Sequence, residues 1–335
     1  MSRISLIVFS CILFSGCTRS SSSTSVSFYY WRTSFQLTPA EQETLALNEV
    51  TKLYVRYFDV ALKDGKPIPV SPITFKDSPG KATVVPVIYI KNEVMLHLAL
   101  EAEDLAKKIV TYIDQINTRY AILCTEIQID CDWTLTSKET YFNFLERLKK
   151  VSNRKLSATI RLHQVKFHMN TGIPPVDRGV LMYYNMGRIS ADSLNSIYDP
   201  MIAKRYTGAL KNYPLTLDIA LPVFTWGMHI RNNKVIALLN KVDNAAFTND
   251  IHFEMRAPSF FEVKENVIKI GRYFEKGDRI KIESITPDEL EGMAEDLSGY
   301  LREKPQEVIF YDLDNFNLKH YPNEKQFFQK VSRYF

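Results

Sequence analysis

The sequence predicts an α/β protein of the (β/α)8, or TIM-barrel, class, and three observations carry that expectation. Runs rich in Val, Ile, Tyr and Phe alternate with stretches of helical periodicity, the pattern of repeated βα units around a parallel sheet. Eight such runs can be counted, at 28–32, 52–60, 83–90, 121–133, 156–162, 179–185, 215–223 and 307–312. About 300 of the 335 residues follow position 28, a length that one such barrel fills.

The helices between these runs carry their own signals. Thr38-Pro39-Ala40-Glu41 reads as an N-cap and first turn, and apolar residues recur at helical spacing over 101–116. Thr136-Ser137-Lys138-Glu139 opens another helix, and Pro287-Asp288-Glu289 opens one expected to reach Arg302. One interval, 226–285, is too long for a plain loop. A short helix is expected there over 234–242, with a hairpin pairing 267–270 with 279–282 around Glu275-Lys276-Gly277-Asp278. As the connection after the seventh strand, this insertion must emerge on the C-terminal face of the barrel, where functional residues of such folds sit.

The N-terminus reads as an export signal: basic Arg3, a short apolar run over 4–14, then Ser15-Gly16-Cys17. The run is shorter than the ~20 residues needed to cross ~30 Å of hydrocarbon. Small residues before a cysteine resemble the lipobox of bacterial lipoproteins. That resemblance implies cleavage after residue 16 and lipidation of Cys17, with palmitate among the acyl chains, although Phe14 stands where most lipoboxes place leucine. The serine-rich stretch to residue 27 is then a flexible tether, and 28–335 the folded body. No acidic run follows Cys17, so the expected location is the periplasmic side of an outer membrane.

Composition narrows the rest. The net charge of +4 falls to +3 when Arg3 is removed, and the basic residues form no arm, so nucleic-acid binding has no support. Cys124 and Cys131 lie at odd spacing along one expected strand, out of disulfide reach. No CxxC, HExxH or cysteine–histidine cluster occurs, so neither metal nor cofactor is expected. Nothing signals an oligomer, and a monomer is the expectation.

The most informative stretch is Glu126-Ile127-Gln128-Ile129-Asp130-Cys131-Asp132-Trp133-Thr134. Alternation puts Glu126, Gln128, Asp130 and Asp132 on one face and the apolar residues on the other. The apolar face must meet the helices, so the acidic row points into the barrel, where branched apolar residues are usual. Carboxylates there are costly unless paired, protonated or useful. Two of them ~6 to 7 Å apart, in an effective dielectric of about 20, repel by roughly 2.5 kcal/mol, enough to retain a shared proton unless a cation lies nearby. Arg56 or Arg161 could supply that cation in a buried ion-pair network.

This strand end resembles that of the chitinase-like barrels of glycoside hydrolase family 18. In that family two inward aspartates are followed, two residues later, by the glutamate that protonates the leaving group. Asp130 and Asp132 match the aspartates and Trp133 the tryptophan that commonly follows, whereas Thr134 stands where the acid should be. Leu181-Met182-Tyr183-Tyr184-Asn185 is similar to the family's Met-x-Tyr-Asp motif, with Tyr184 at the position of the tyrosine that assists the substrate acetamido group and Asn185 replacing the aspartate. The insertion after strand seven occupies the place of the family's small α+β subdomain. The Asp-x-Asp-Trp strand end also resembles that of other bacterial lipoproteins.

Other strand ends complete an expected cleft: Trp31, Arg56 with Asp59, Arg161 with His163, Trp226, and Asp312 with Asp314. Rings beside carboxylates and amides suit a sugar, although Trp31, Trp226 and His163 could equally be core residues. The expected catalytic set is Asp130, Asp132, Tyr184 and Asp312, with Asp132 as proton donor or electrostatic stabiliser, Asp130 setting its proton affinity, and Asp312, Asp59 or Asp314 as partner across the barrel. Trp31, Arg56, Asp59, Arg161, His163, Asn185 and Trp226 would bind substrate. The expected protein is a membrane-tethered, glycoside-hydrolase-like barrel acting on or binding an envelope carbohydrate. A non-catalytic glycan binder or envelope scaffold, or a hydrolase of different bond specificity, stands beside it.

Overall fold

The computed structural model describes residues 24–98, 101–322 and 326–335. The signal segment and Cys17 lie outside the described residues. Eight parallel strands close a barrel: β1 (Ser25–Tyr30), β2 (Lys52–Lys63), β3 (Thr83–Ile90), β4 (Glu126–Asp130), β5 (Lys155–Arg161), β6 (Arg178–Met182), β7 (Leu217–Pro222) and β8 (Glu307–Tyr311). Each pairs with the next, and β1 pairs with both β2 and β8, so the sheet has no open barrel edge. Among the described residues no helix is long and apolar enough to cross a membrane.

Local chemistry sets the helix starts. At α1 (Pro39–Leu47) the Thr38 hydroxyl accepts from the Glu41 backbone N–H while the Glu41 carboxylate accepts from the Thr38 N–H, a reciprocal capping box. Thr286 and Glu289 repeat the device at the helix Pro287–Ser298. The long amphipathic helix α2 (Ala102–Tyr120) ends where Ala121 turns left-handed, with φ 53°.

The barrel interior is polar along much of its length. Near the N-terminal face, Lys52 Nζ contacts Glu307 and lies 3.5 Å from Glu126, while Glu307 accepts from Ser27 at 2.9 Å and Tyr54 at 3.2 Å. Asp218 forms a two-point pair with Arg178 at 2.6 and 2.7 Å. Higher up, the Tyr29 hydroxyl donates to Gln128 at 2.6 Å and Thr159 donates to Asp130 at 2.6 Å. The acidic row on β4 therefore points inward, as its alternation predicts, and its apolar partners Ile127 and Ile129 are fully buried among the helices.

Several expectations require correction. Residues 25–27, read as the end of the tether, are the first of β1, because Ser25, Val26 and Ser27 pair in register with Glu307, Val308 and Ile309. The fourth strand spans only Glu126–Asp130, with Cys124 and Cys131 on either side of it as free thiols. The second connection is a hairpin strand, Lys66–Val70, antiparallel to β2, in place of a helix. Within the insertion, the expected helix at 234–242 is a strand, Lys234–Asn240, paired with Trp226–Arg231. Asn232 and Asn233, at φ 49° and 59°, form the two-residue turn between them, and asparagine tolerates that conformation. Arg279–Glu283 joins a five-stranded antiparallel sheet beside Trp226–Arg231, whereas Val267–Lys269 pairs with Arg272–Phe274. The insertion thus carries its own β-sheet and its own small core around Phe247, Phe253, Phe261 and Phe274.

Replacing Lys52 by Met leaves Glu307 and Glu126 without their shared cation inside the barrel. The expected outcome is a loss of roughly 3 kcal/mol in unfolding free energy, measured by urea denaturation, with part of it restored when Glu307→Gln is added. A loss below about 0.5 kcal/mol would mean that the two carboxylates are solvated or protonated without it.

Candidate functional site

The C-terminal ends of the strands enclose a groove. Its floor is a hollow of about 70 Å3 lined by Tyr29, Trp31, Asp130, Thr159, Met182, Tyr184, Asn185 and Tyr311. A second hollow of about 70 Å3 adjoins it toward Arg161, His163 and Tyr206. On the other side, about 350 Å3 opens between Trp31, Phe224, Trp226, Lys241, Tyr311, Asp312 and Asn317. Asn185 borders all three and makes them one groove. An equally large apolar hollow lies between the insertion and the barrel, and Phe224 lines both it and the groove.

Aromatic rings dominate the floor. Tyr184 stacks on Tyr311 at 5.5 Å with an interplanar angle of 22°. Tyr311 meets Trp31 edge-on at 5.4 Å and Phe224 at 5.8 Å, and Phe224 meets Trp226 at 5.2 Å. Trp31 and Trp226 are therefore half-buried groove walls and only in part core fillers. Tyr311, Tyr29 and Phe224 were missed in the sequence, although the inward alternation of Glu307, Ile309 and Tyr311 along β8, and of Tyr29 and Trp31 along β1, contained the signal.

The carboxylates divide into free and engaged groups. Asp130 is buried at the floor, and burial pushes its proton affinity up to about 6; the Thr159 hydrogen bond opposes this and the Asp132 charge adds to it. Asp312 is likewise raised to about 6, by burial first and the neighbouring Asp314 charge second, and it accepts from Asn317 Nδ2 at 2.6 Å. Asp132 lies beyond the end of β4, with its side chain 43% exposed, clamped by the Arg161 guanidinium through Nε and, at 2.6 Å, Nη2. Asp130 is thus the buried carboxyl of raised proton affinity, and Arg161 is the ion-pair partner of Asp132. Arg161 pairs with Asp132 alone and Arg56 grips Asp59 at 2.5 and 2.7 Å, so among the described residues no buried ion-pair network joins both aspartates. Asp314 caps a short helix through Phe316 N and pairs with Lys241 at 2.6 Å. Of the three aspartates expected across the barrel, only Asp312 has no ion pair among the described residues.

His163 lies in the short helix Leu162–Lys166 after β5; burial, then the Arg161 charge, lowers its proton affinity and favours the neutral imidazole. Asn185 adopts φ 52°, and its Oδ1 is buried without a hydrogen-bond partner among the described residues. Trp133 is a core residue, stacked on Tyr141 at 5.2 Å with its indole donating to Thr171 O at 3.1 Å. Thr134 is exposed, its hydroxyl bonded to Thr136 at 2.8 Å and Ser137 at 3.3 Å in the turn that starts the next helix.

No protein-family model and no curated protein sequence matches the chain. Solved structures match across 92% of it. The spore cortex-lytic enzyme SleL of Bacillus cereus superposes with TM-score 0.55 and 14% identity over 74% of that chain. A GH18 chitinase from Cycas revoluta in complex with (GlcNAc)3 gives 0.54 and 10% over 99% of that chain. The class V chitinase from Nicotiana tobaccum gives 0.54 and 9%, also over 99% of that chain. The fold is a GH18-like TIM barrel. The Thr134 hydroxyl is bound into a helix start, and a threonine hydroxyl cannot act as an acid near neutral pH.

Because Asp130 binds its proton more tightly folded than unfolded, its contribution to stability is complete below about pH 4 and lost as pH rises through about 6. The unfolding free energy of the wild type minus that of Asp130→Asn should therefore fall by roughly 2 kcal/mol between pH 4 and pH 7, measured by denaturant titration at each pH. A difference that stays flat would show that Asp130 ionises as an ordinary carboxylate.

Proposed function

We propose that the groove binds a carbohydrate chain containing N-acetylated hexosamines, and that it does so without cleaving it. The observation that carries this is the pairing of an intact aromatic floor with a missing acid: Thr134 has no ionisable proton to give, and Arg161 holds Asp132 as a charge-paired carboxylate. Rings such as Trp31, Tyr184 and Tyr311 suit the C–H faces of a sugar. The free Asn185 Oδ1, the Asp130 carboxyl and the rim amides suit its hydroxyl and acetamido groups. The (GlcNAc)3 carried by the Cycas chitinase is the ligand type this reading brings to the present chain.

The same reading places the protein on a bacterial envelope through lipidated Cys17, on the periplasmic side of an outer membrane, with glycan of the envelope as its ligand. A second reading, hydrolysis, has one observation in its favour: Asp130 and Asp312 are both buried and both raised to about 6, so one could donate a proton while the other is ionised.

Calorimetry of the purified protein with N-acetylglucosamine oligomers and peptidoglycan fragments, run beside fluorogenic glycosides of the same sugars, tests both. The expected outcome is binding that Trp31→Ala weakens roughly tenfold, with no turnover. Turnover abolished by Asp130→Asn would establish the hydrolase instead. Labelling with radioactive palmitate in cells, expected for the wild type and absent in Cys17→Ser, checks the anchor.

A further inference from the structure

We infer that Glu283 is the positioning residue of the groove's far wall: it holds the Trp226 indole as a ring-face platform and ties that platform to the loop that carries Asn185. What the platform meets rests on the carbohydrate reading above; how it is held rests on geometry alone.

Trp226 and Glu283 are directly opposed in the antiparallel pair between Trp226–Arg231 and Arg279–Glu283. The indole Nε1–H donates to Glu283 Oε2 at 2.9 Å. The same carboxylate accepts from the Ser196 backbone N–H at 3.1 Å, from the Ser196 hydroxyl, and from Lys281 Nζ at 2.6 Å. Lys281 also donates to Leu194 O at 2.5 Å. The Glu283 and Lys281 side chains are 1% and 2% exposed, so this is an ion pair withdrawn from water. Such a pair adds little net stability over apolar residues of the same size, because desolvation cancels most of the attraction. What it supplies that two apolar residues could not is direction.

With its N–H committed to Glu283, Trp226 has no polar edge left for a ligand and presents only ring surface to the groove. The plane is fixed from the other side by Phe224, which in turn meets Tyr184 at 6.0 Å. The second arm of the clamp runs through Ser196. Its carbonyl accepts from Gly187 N at 3.0 Å, and a Cβ on Gly187 would come within 2.8 Å of Ser196 Cα, so the loop is pinched shut at a neck only glycine permits. Asn185 stands two residues before that neck. One buried carboxylate therefore sets both Trp226 and the entry to Asn185.

Trp226 lines the stretch of groove beside Asp312, away from the Asp130 floor. The platform is therefore a specificity element for chain length: a ligand confined to the floor does not reach it, whereas a longer oligomer does.

The test compares two variants that both abolish the ion pair. Lys281→Met with Glu283→Gln keeps an oxygen opposite the indole; Lys281→Met with Glu283→Leu removes it. The dissociation constants of the N-acetylglucosamine dimer and hexamer are measured for each. The leucine variant should lose roughly threefold to tenfold of hexamer affinity and leave the dimer unchanged, and the glutamine variant should restore the wild-type hexamer-to-dimer ratio. Equal ratios in the two variants would overturn the proposal, because a merely structural pair would move both alike. In parallel, the three tryptophans are labelled with nitrogen-15 in the indole, and the Trp226 resonance is assigned by its loss in Trp226→Phe. It should shift upfield and exchange faster in the leucine variant only. If the wild type binds neither oligomer, the carbohydrate reading falls, and this resonance alone decides whether Glu283 holds the indole: a signal unmoved in the leucine variant overturns it.

Discussion

The inward-facing polar row of β4 is the constraint on which the rest of this barrel depends. Glu126, Gln128 and Asp130 occupy positions that most such barrels fill with branched aliphatic side chains. Each must be met from another strand, and the identity of those partners follows: Lys52 and Ser157 for Glu126, Tyr29 for Gln128, Thr159 for Asp130. The partners lie on β1, β2 and β5, so satisfying one strand fixes the inward residues of three others. A barrel held this way gains register specificity from its interior, since a shift of one residue would turn the polar row against the helices.

The ascending row also grades the carboxylates by environment. At the bottom, Glu126 and Glu307 share the Lys52 cation. At the top, Asp130 has a single neutral hydroxyl and a buried setting, which favours its protonated form. One step further, Asp132 leaves the strand, reaches solvent and takes Arg161 as its counter-charge. Three carboxylates on one segment thus meet three different settings, which differ in depth and in the cation within reach. The groove above them is apolar in its walls and sparing in its polar groups, the composition of a site that recognises an amphiphilic ligand by ring contact and a few directed hydrogen bonds.

The insertion completes that groove from a separate sheet. Ion pairs of Lys241 with Asp314 and of Lys319 with Asp243, and a hydrogen bond between His320 and Asp243, link it to the segment after β8. The Glu283 cluster links it to the loop after β6. These contacts bring Trp226 into line with Phe224, Tyr311 and Trp31, so that rings from the barrel and the insertion form one surface.

Local patterning of the chain carries the class of fold, the inward direction of the β4 row, the capped starts of the helices at Pro39 and Pro287, and the strand ends that border the groove. These are local properties: alternation, capping and turn chemistry act over a few residues and survive in any tertiary setting. The Asn232–Asn233 turn belonged to the same class of signal, and apolar residues at 235, 236, 238, 239 and 242 obscured it by fitting a helix as well as a strand. Packing between strands set the cation that meets Asp132 and the one that meets Glu126 and Glu307. Arg161 reaches Asp132, 29 residues away in the chain, because β4 and β5 pair, whereas Arg56 meets Asp59 three residues along its own strand. Tertiary structure alone also set the proton affinities of Asp130 and Asp312, and joined Glu283 to Trp226 and Ser196. Those outcomes depend on burial and on distances between residues far apart in the chain, and no window of sequence contains them.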